Sequence, residues 1–380
     1  MHEVTIVAHD AGGVGGMERQ LEELITGLAD ATHEVLVIAR GLRVAPHPRI
    51  RWIRIRGPAR PFALAYPWFL LVASIVLRRR RRGVVHSTGA IVANRVDVIT
   101  AHFCHRAYRE RTRLRRSSGR SLVYRLNARV AARMSLAAEA WSYRPSRVTR
   151  MVGVSRGVTA ELERHFPVPA ERLQTVPNGV DTDRFCPGSP DARRVARASL
   201  GIGADRLVTL FVGSEWEGKG LVHALEAVSR RSGCDLLVVG RGDLDRYGRI
   251  VRDLGITERV TFLEPRPDLL PLYRAADVFL LPTVYETFSL VSHEAAACGL
   301  ALLVTRVSGV DELLEDGENG WFIRRDPADI ATRLAELEAD PDGRERLGAA
   351  ARRSALRYSW PAMVRGYRSV YDAVMEEARS

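Results

Sequence analysis

Residues 207–231 read LVTLFVGSEWEGKGLVHALEAVSRR. The apolar run Leu207–Val212, closed by Gly213, has the length and composition of a buried strand. A helical pattern follows over 219–231, and a glycine-rich turn joins the two. This strand–turn–helix unit recurs along the chain. In the C-terminal half, further strands fit Leu236–Val239, Val260–Leu263, Val278–Leu281 and Leu302–Thr305, and helices fit 243–254, 289–298, 326–338 and 342–357. In the N-terminal half, strands fit Val4–Ala8, Val35–Ile38, Ile50–Ile55, Val84–His86, Val96–Thr100 and Arg150–Val154. A helical pattern runs through Leu21, Leu24, Ile25 and Leu28, and long helices fit 62–80 and 121–140. Strands separated by helices imply parallel sheets with right-handed crossovers. A chain of 380 residues is too long for one ordinary core. The expected fold class is therefore α/β, with two Rossmann-like domains. The segment Phe185–Pro190, rich in Pro, Gly and Ser, reads as the linker.

Composition narrows the class further. Hydrophobic content of 46% with 27% charged residues is that of a globular protein, and a net charge of +12 favours an anionic partner. Cys104, Cys186, Cys234 and Cys298 are scattered without a metal-type spacing, so a reduced cytoplasmic protein without structural metal is expected. No signal peptide is read at the start, because residues 3–8 run straight into a strand pattern. Phe62 to Leu77 is almost wholly apolar and runs into Arg78–Arg82. It is short for a membrane span and contains Pro67. Either it is a buried helix ending in solvated arginines, or it lies on an anionic bilayer with the arginines at the headgroups. Residues Arg106–Arg133 add ten arginines against one acid, Glu110. A solvated helix face is the alternative there.

Two stretches carry chemistry. Residues 285–299 read YETFSLVSHEAAACG, with Glu286 and Glu294 on either side of a helix start that Thr287 or Ser289 would cap. Free N–H groups at such a start attract phosphate, and the two carboxylates suit hydroxyl groups flanking it. A capped surface helix with two solvated acids is the competing reading. Lys219 is the single lysine among 57 basic residues. A lone ammonium in a glycine-rich turn after a strand suggests a role that guanidinium does not fill. Ligands of parallel sheets bind beyond the carboxyl ends of strands. Gly12–Gly16, His102, Lys219 and Glu286 all fall there.

Together these features resemble the retaining glycosyltransferases of family 4, which have the GT-B fold, along nearly the whole chain. The resemblance rests on Glu286, Phe288, Glu294 and Gly299, on Asn178–Thr182, Lys219–Gly220, Tyr273–Asp277 and Asp316–Gly320. The stretches around Phe211–Ser214 and His102–His105 look most like the branch with lipopolysaccharide core glucosyltransferases. The resemblance implies two Rossmann-like domains facing across a cleft: an acceptor-binding domain over 1–185 and a nucleotide-sugar domain over 186–359. The end helix, 360–380, would cross back onto the N-terminal domain. Lys219 would neutralise the donor diphosphate, and the backbone of Ser289, Leu290 and Val291 would hold phosphate. Glu294 would take the ribose hydroxyls and Glu286 those of the sugar. Gly213, Ser214 and Phe288 would line the donor site, and Gly15 and Gly16 would admit donor or acceptor closely. His102 would orient the transferred sugar, with His105 as the alternative.

Ser214 stands where many members of that family carry arginine, and Gly218 where the resembled branch often does, so either Lys219 acts alone or another arginine, such as Arg241 or Arg266, reaches in. The implied activity is metal-independent, cofactor-free transfer of a hexose from a nucleotide sugar, a UDP-sugar first. The acceptor would be a glycolipid, polysaccharide precursor or secondary metabolite, and the enzyme cytoplasmic or peripheral on the inner membrane face. A nucleotide-sugar 2-epimerase of the same fold and a basic nucleic-acid-binding protein are the alternatives; no reader motif supports the latter.

Overall fold

Almost every apolar run of the sequence folds into a strand that feeds a helix. The computed structural model describes residues 3–13, 15–112, 122–203 and 205–379. Contacts divide the chain into two units, Met1–Gly179 with Trp360–Ser380, and Val180–Ser359. The division falls shortly before the Phe185–Pro190 segment.

The N-terminal unit runs β1 (Glu3–Ala11), α1 (Gly16–Asp30), β2 (Glu34–Leu42), β3 (Ile50–Arg54), α2 (Phe62–Arg80), β4 (Val84–Ser87), β5 (Val96–Ala101), α3 (His105–Thr112), α4 (Leu122–Ser142), β6 (Val148–Gly153), α5 (Arg156–His165) and β7 (Leu173–Thr175). Its strands form one parallel sheet in the order β3-β2-β1-β4-β5-β6-β7. Ile6 lies opposite Val37 and His86, in the middle of the sheet. The central strands β4 and β5 are buried along nearly all their length, as a parallel strand covered on both faces requires, whereas the edge strand β3 leaves Arg51, Trp52 and Arg54 exposed. β7 was not legible in the sequence, because its residues Leu-Gln-Thr are half-buried and barely alternate.

The C-terminal unit runs α6 (Pro190–Ser199), β8 (Leu207–Val212), α7 (Trp216–Lys219), α8 (Leu221–Ser229), β9 (Cys234–Val239), α9 (Leu244–Asp253), β10 (Val260–Leu263), α10 (Leu270–Ala275), β11 (Val278–Leu281), α11 (Leu290–Ala297), β12 (Ala301–Val304), α12 (Val310–Leu313), β13 (Gly320–Phe322), α13 (Pro327–Ala339) and α14 (Pro341–Ala355). Its sheet is also parallel, in the order β10-β9-β8-β11-β12-β13. Every residue of β8, β11 and β12 is buried, as a central parallel strand requires. A buried carboxylate fixes where this sheet begins: Asp277 accepts from the Val208 N–H at 2.8 Å and from Arg197 Nη2 at 2.6 Å, with Arg193 on its other oxygen.

Two helix expectations change. The helix expected over 219–231 is α8, from Leu221 to Ser229, because Gly220 at φ +82° separates it from the short α7 that ends at Lys219. The helix expected from 289 starts at Leu290, because Ser289 is left-handed at φ 65°.

The last helix, α15 (Trp360–Glu377), belongs to the N-terminal unit and packs on α1, β4, β5 and β6. It buries Trp360, Met363, Val364, Tyr367, Val370, Tyr371 and Val374, a stripe at helical spacing. A buried polar chain fastens it. The Tyr371 hydroxyl lies 2.8 Å from His86 Nδ1, His86 Nε2 2.7 Å from Thr100 Oγ1, and Thr100 Oγ1 2.9 Å from the Tyr367 hydroxyl.

Candidate active site

Both sheets reverse strand order between their first and fourth strands, the point at which open α/β sheets open a crevice. In the C-terminal unit that point lies between β8 and β11. Lys219 follows the first of these strands and Glu286 the second.

Local chemistry brings their loops together. After β8 the chain turns at Gly213, where an added Cβ would press on the Lys219 side chain at 3.2 Å, so the alkyl stem lies along bare backbone. Trp216, 2% exposed, anchors the loop against Tyr247 and Phe262, each with ring centroids 5.3 Å away. Gly220 then passes so close to the Pro282 carbonyl that a side chain there would collide with it. The Val284 N–H donates to the Gly218 carbonyl at 3.1 Å, which laces one loop to the other. At the end of this lacing the Lys219 ammonium pairs with the Glu286 carboxylate.

Beyond Glu286 the chain enters α11. Ser289 occupies the capping position, but its hydroxyl meets Ser292 Oγ at 2.7 Å and accepts no backbone N–H. The N–H groups of Ser292 and His293 bond back to the Ser289 carbonyl. Those of Ser289, Leu290 and Val291 stand ahead of the first helical acceptor, with the positive end of the helix dipole behind them. The expected serine cap is thus absent, which leaves the helix tip able to receive an anion. Phe288 stacks on His293 with centroids 3.9 Å apart, and burial holds the His293 pKa down at about 4, so the ring is neutral. Glu294 lies on the inner side of α11, 4% exposed, and accepts from the Tyr273 hydroxyl at 2.9 Å.

The structure therefore joins Gly213, Lys219 and Glu286 through one pair of loops, and Phe288, Ser289, Leu290, Val291 and Glu294 follow Glu286 into and along α11. Ser214 is exposed on the same turn. Of the two substitute cations, Arg241 lies on the adjoining loop, where its carbonyl accepts the Glu215 N–H at 3.2 Å. Arg266 is exposed after β10. Tyr273 stood within the resemblance without a role at the site, and Val284 was missed, because a lone valine carries no signal until the fold places it.

In the N-terminal unit, Gly15 caps α1 and Gly16 opens it; Val14 lies outside the described residues. His102 directly follows β5. Burial lowers its pKa to about 4, and its Nε2 has no hydrogen-bond partner among the described residues. His105 opens α3, and both its Nδ1 (2.7 Å) and its backbone N–H (3.1 Å) meet Glu139 Oε1. Glu139, 2% exposed on α4, was also missed. Its signal was an acid inside the apolar run of α4, thirty-four residues from its partner. Of the basic segment Arg106–Arg133, residues 113–121 lie outside the described residues. Arg106 donates to the His165 carbonyl and Arg111 pairs with Glu161, both on α5. Among the described residues no group of three or more His, Cys, Asp or Glu side chains is placed to hold a metal ion.

The arrangement sets an ammonium paired with a carboxylate at the loop that leads into an uncapped helix tip, two features that each attract an anion. Known proteins share the pattern of the chain. Residues 192–354 match the family described as Glycosyl transferases group 1. Residues 14–184 match Glycosyltransferase Family 4. D-inositol 3-phosphate glycosyltransferase of Corynebacterium jeikeium is 36% identical over 215 residues, covering 53% of this chain and 51% of that protein. The chain spans about half the length of the curated relatives it matches. WaaG, a glycosyltransferase involved in lipopolysaccharide biosynthesis, has a similar fold, with a TM-score of 0.81 at 21% identity over 98% of this chain and 99% of that one. HepE of Anabaena, solved with UDP and glucose, gives 0.74 at 17% identity over 98% and 100%.

Proposed function

Residues 14–184 match Glycosyltransferase Family 4 and residues 192–354 Glycosyl transferases group 1, and from that premise we propose that the chain is a family 4 glycosyltransferase that moves a hexose from a nucleotide-diphosphate sugar to an acceptor hydroxyl with retention of anomeric configuration. The observation that carries the reading is the Lys219–Glu286 ion pair beside the uncapped tip of α11. A donor diphosphate would draw Lys219 onto its charge and sit on the N–H groups of Ser289, Leu290 and Val291. Glu286, released, would accept from the sugar hydroxyls, and Glu294 from the ribose hydroxyls. Gly213, Ser214 and Phe288 would border the donor. The UDP held by HepE makes a UDP-sugar the first donor to try.

As the bond from the anomeric carbon to the phosphate oxygen breaks, Lys219 and the helix tip would stabilise the departing diphosphate. The acceptor oxygen would attack on the same face and pass its proton to the leaving phosphate. No step calls on a metal or an organic cofactor. In the N-terminal unit we assign His102, neutral by burial, the role of hydrogen-bonding a sugar hydroxyl. Gly15 and Gly16 are assigned a close backbone approach to ligand. The acceptor is proposed to be a glycolipid, polysaccharide precursor or secondary metabolite. The relatives' name adds an inositol phosphate to the compounds worth testing. The four unpaired cysteines fit a reduced cytoplasm.

The test is a thermal-unfolding screen with UDP-, GDP- and dTDP-sugars, followed by product analysis of the best ligand. Stabilisation by one nucleotide sugar, with sugar passed to an added acceptor, is expected. Conversion of the donor to its epimer without any acceptor would replace transfer with epimerisation. No stabilisation by any of the donors would remove the proposal.

A further inference from the structure

Cys186 and Cys298 lie 112 residues apart in sequence, yet the C-terminal unit brings their chain segments side by side. The Arg352 guanidinium ties the residues before them: its Nη1 donates to the Phe185 carbonyl at 3.1 Å and also to the Ala297 carbonyl. The residues after them touch as well. A Cβ added to Gly299 would stand 3.3 Å from Pro187 Cγ. Each cysteine is thus flanked on both sides by a contact between the two segments. Touching segments run about 5 Å apart, and a disulfide spans Cα separations of about 4.4–6.8 Å. Both thiols are free, and they differ in access: Cys186 is half-buried, whereas Cys298 is 6% exposed. Burial first, then the charges of Glu294 and of an ionised Cys186, push the Cys298 thiol up; Arg274 and Arg352 pull it the other way. Cys104 and Cys234 are fully buried elsewhere, the first in the N-terminal unit and the second at the start of β9.

We propose that Cys186 and Cys298 are a thiol pair that a low-molecular-weight disulfide oxidises to an internal disulfide. The Cys186 thiolate, the more accessible one, attacks a sulfur of oxidised glutathione and releases one glutathione thiolate. The Cys298 thiolate then attacks the Cys186 sulfur of the mixed disulfide and releases the second. The two protons lost by the protein thiols end on the two glutathione thiols, and the two electrons pass to glutathione. The new bond ties the end of α11 to the segment that precedes α6. Glu294 lies one turn before Cys298, and its carbonyl accepts the Cys298 N–H at 3.0 Å. Its carboxylate accepts from Tyr273, whose ring meets that of Phe185 with centroids 5.8 Å apart. The disulfide therefore closes a ring of contacts around Glu294. The bond calls on no sugar-transfer step, so it is tested apart from that reading.

The experiment incubates the full chain, folded, with oxidised glutathione, then alkylates it in denaturant without reductant and maps the peptides by mass. One cross-linked pair is expected, Cys186 with Cys298, about 2 Da lighter than the sum of its reduced peptides, with Cys104 and Cys234 alkylated. Closing so long a loop should raise the thermal midpoint by about 5 °C or more, and dithiothreitol should reverse the rise. Oxidant should leave the midpoint of Cys186→Ser where it was and leave its Cys298 open to alkylation. The same treatment in denaturant should scramble the pairing. Alkylation of both Cys186 and Cys298 after oxidation would overturn the proposal. So would glutathione lodged on Cys186 beside an alkylated Cys298, or an oxidised chain that melts lower than the reduced one.

Discussion

Replacing Glu286 with Gln should strengthen UDP binding while it weakens sugar transfer. The opposed signs follow from the ion pair. With no ligand present, Lys219 is held by Glu286, so a diphosphate must break that contact before it gains the ammonium. The two side chains are 26% and 11% exposed, between the limits of a surface pair and a buried one. Surface pairs contribute up to about 1 kcal/mol, and breaking buried ones costs about 3–5 kcal/mol. A value of about 1–2 kcal/mol is reasonable here, and removing it as a competitor makes UDP bind roughly five- to thirtyfold more tightly. Turnover of the UDP-sugar should fall, because an amide replaces the carboxylate that receives the sugar hydroxyls. Lys219→Ala should weaken UDP binding and lower turnover by about a hundred- to a thousandfold, the scale of one lost transition-state donor. It should also lower stability by about 1–2 kcal/mol, because Glu286 loses its partner. Calorimetric titration with UDP and chromatographic measurement of UDP release give both quantities. Tighter UDP binding by Lys219→Ala, or weaker binding by Glu286→Gln, would refute the competition; unchanged turnover in Lys219→Ala would refute the role of the lysine.

Three further outcomes are expected. Gly220→Ala forces a left-handed alanine against the Pro282 carbonyl, at a cost of about 1–3 kcal/mol, and should lower both the thermal midpoint and turnover. Tyr371→Phe removes the hydroxyl beside His86 Nδ1 and should cost about 1–3 kcal/mol in denaturant unfolding; an unchanged midpoint would show that the polar chain does not fasten α15. Burial lowers the pKa values of His9, His86, His102 and His293 to about 4, 3, 4 and 4. The unfolded chain then binds more protons at these four groups below about pH 6.5, so their contribution to stability is full above that pH and is lost as the pH falls toward about 3–4. Unfolding at pH 5 should take up about three to four protons in a potentiometric titration, and uptake of less than about one would contradict the neutral histidines.

The sequence exposes the parts of this protein whose information is local. Leu207–Val212, Val260–Leu263 and Val278–Leu281 are strands at the expected boundaries, because a parallel strand buried on both faces is written as an unbroken apolar run. The end of β13 beside Trp321 was not legible, since a three-residue edge strand has no period to detect. The separation of α7 from α8 at Gly220 depends on a close approach to Pro282, sixty-two residues away in sequence. Nearness of Lys219 and Glu286 to strand ends could be read, but their pairing could not, because it depends on the adjacency of β8 and β11. The same holds for Glu139 with His105, and for Tyr371 with His86 across the length of the chain. The apolar run at Phe62–Leu77 showed that α2 was unusual, and only the packing shows which of its sides is left uncovered.

The most direct measurement is a crystal structure of the protein with UDP. The expected map shows the diphosphate on the N–H groups of Ser289, Leu290 and Val291, with the Lys219 ammonium moved from Glu286 to within about 3 Å of a phosphate oxygen. A diphosphate bound elsewhere, with Lys219 still paired to Glu286, would contradict the assignment of this site.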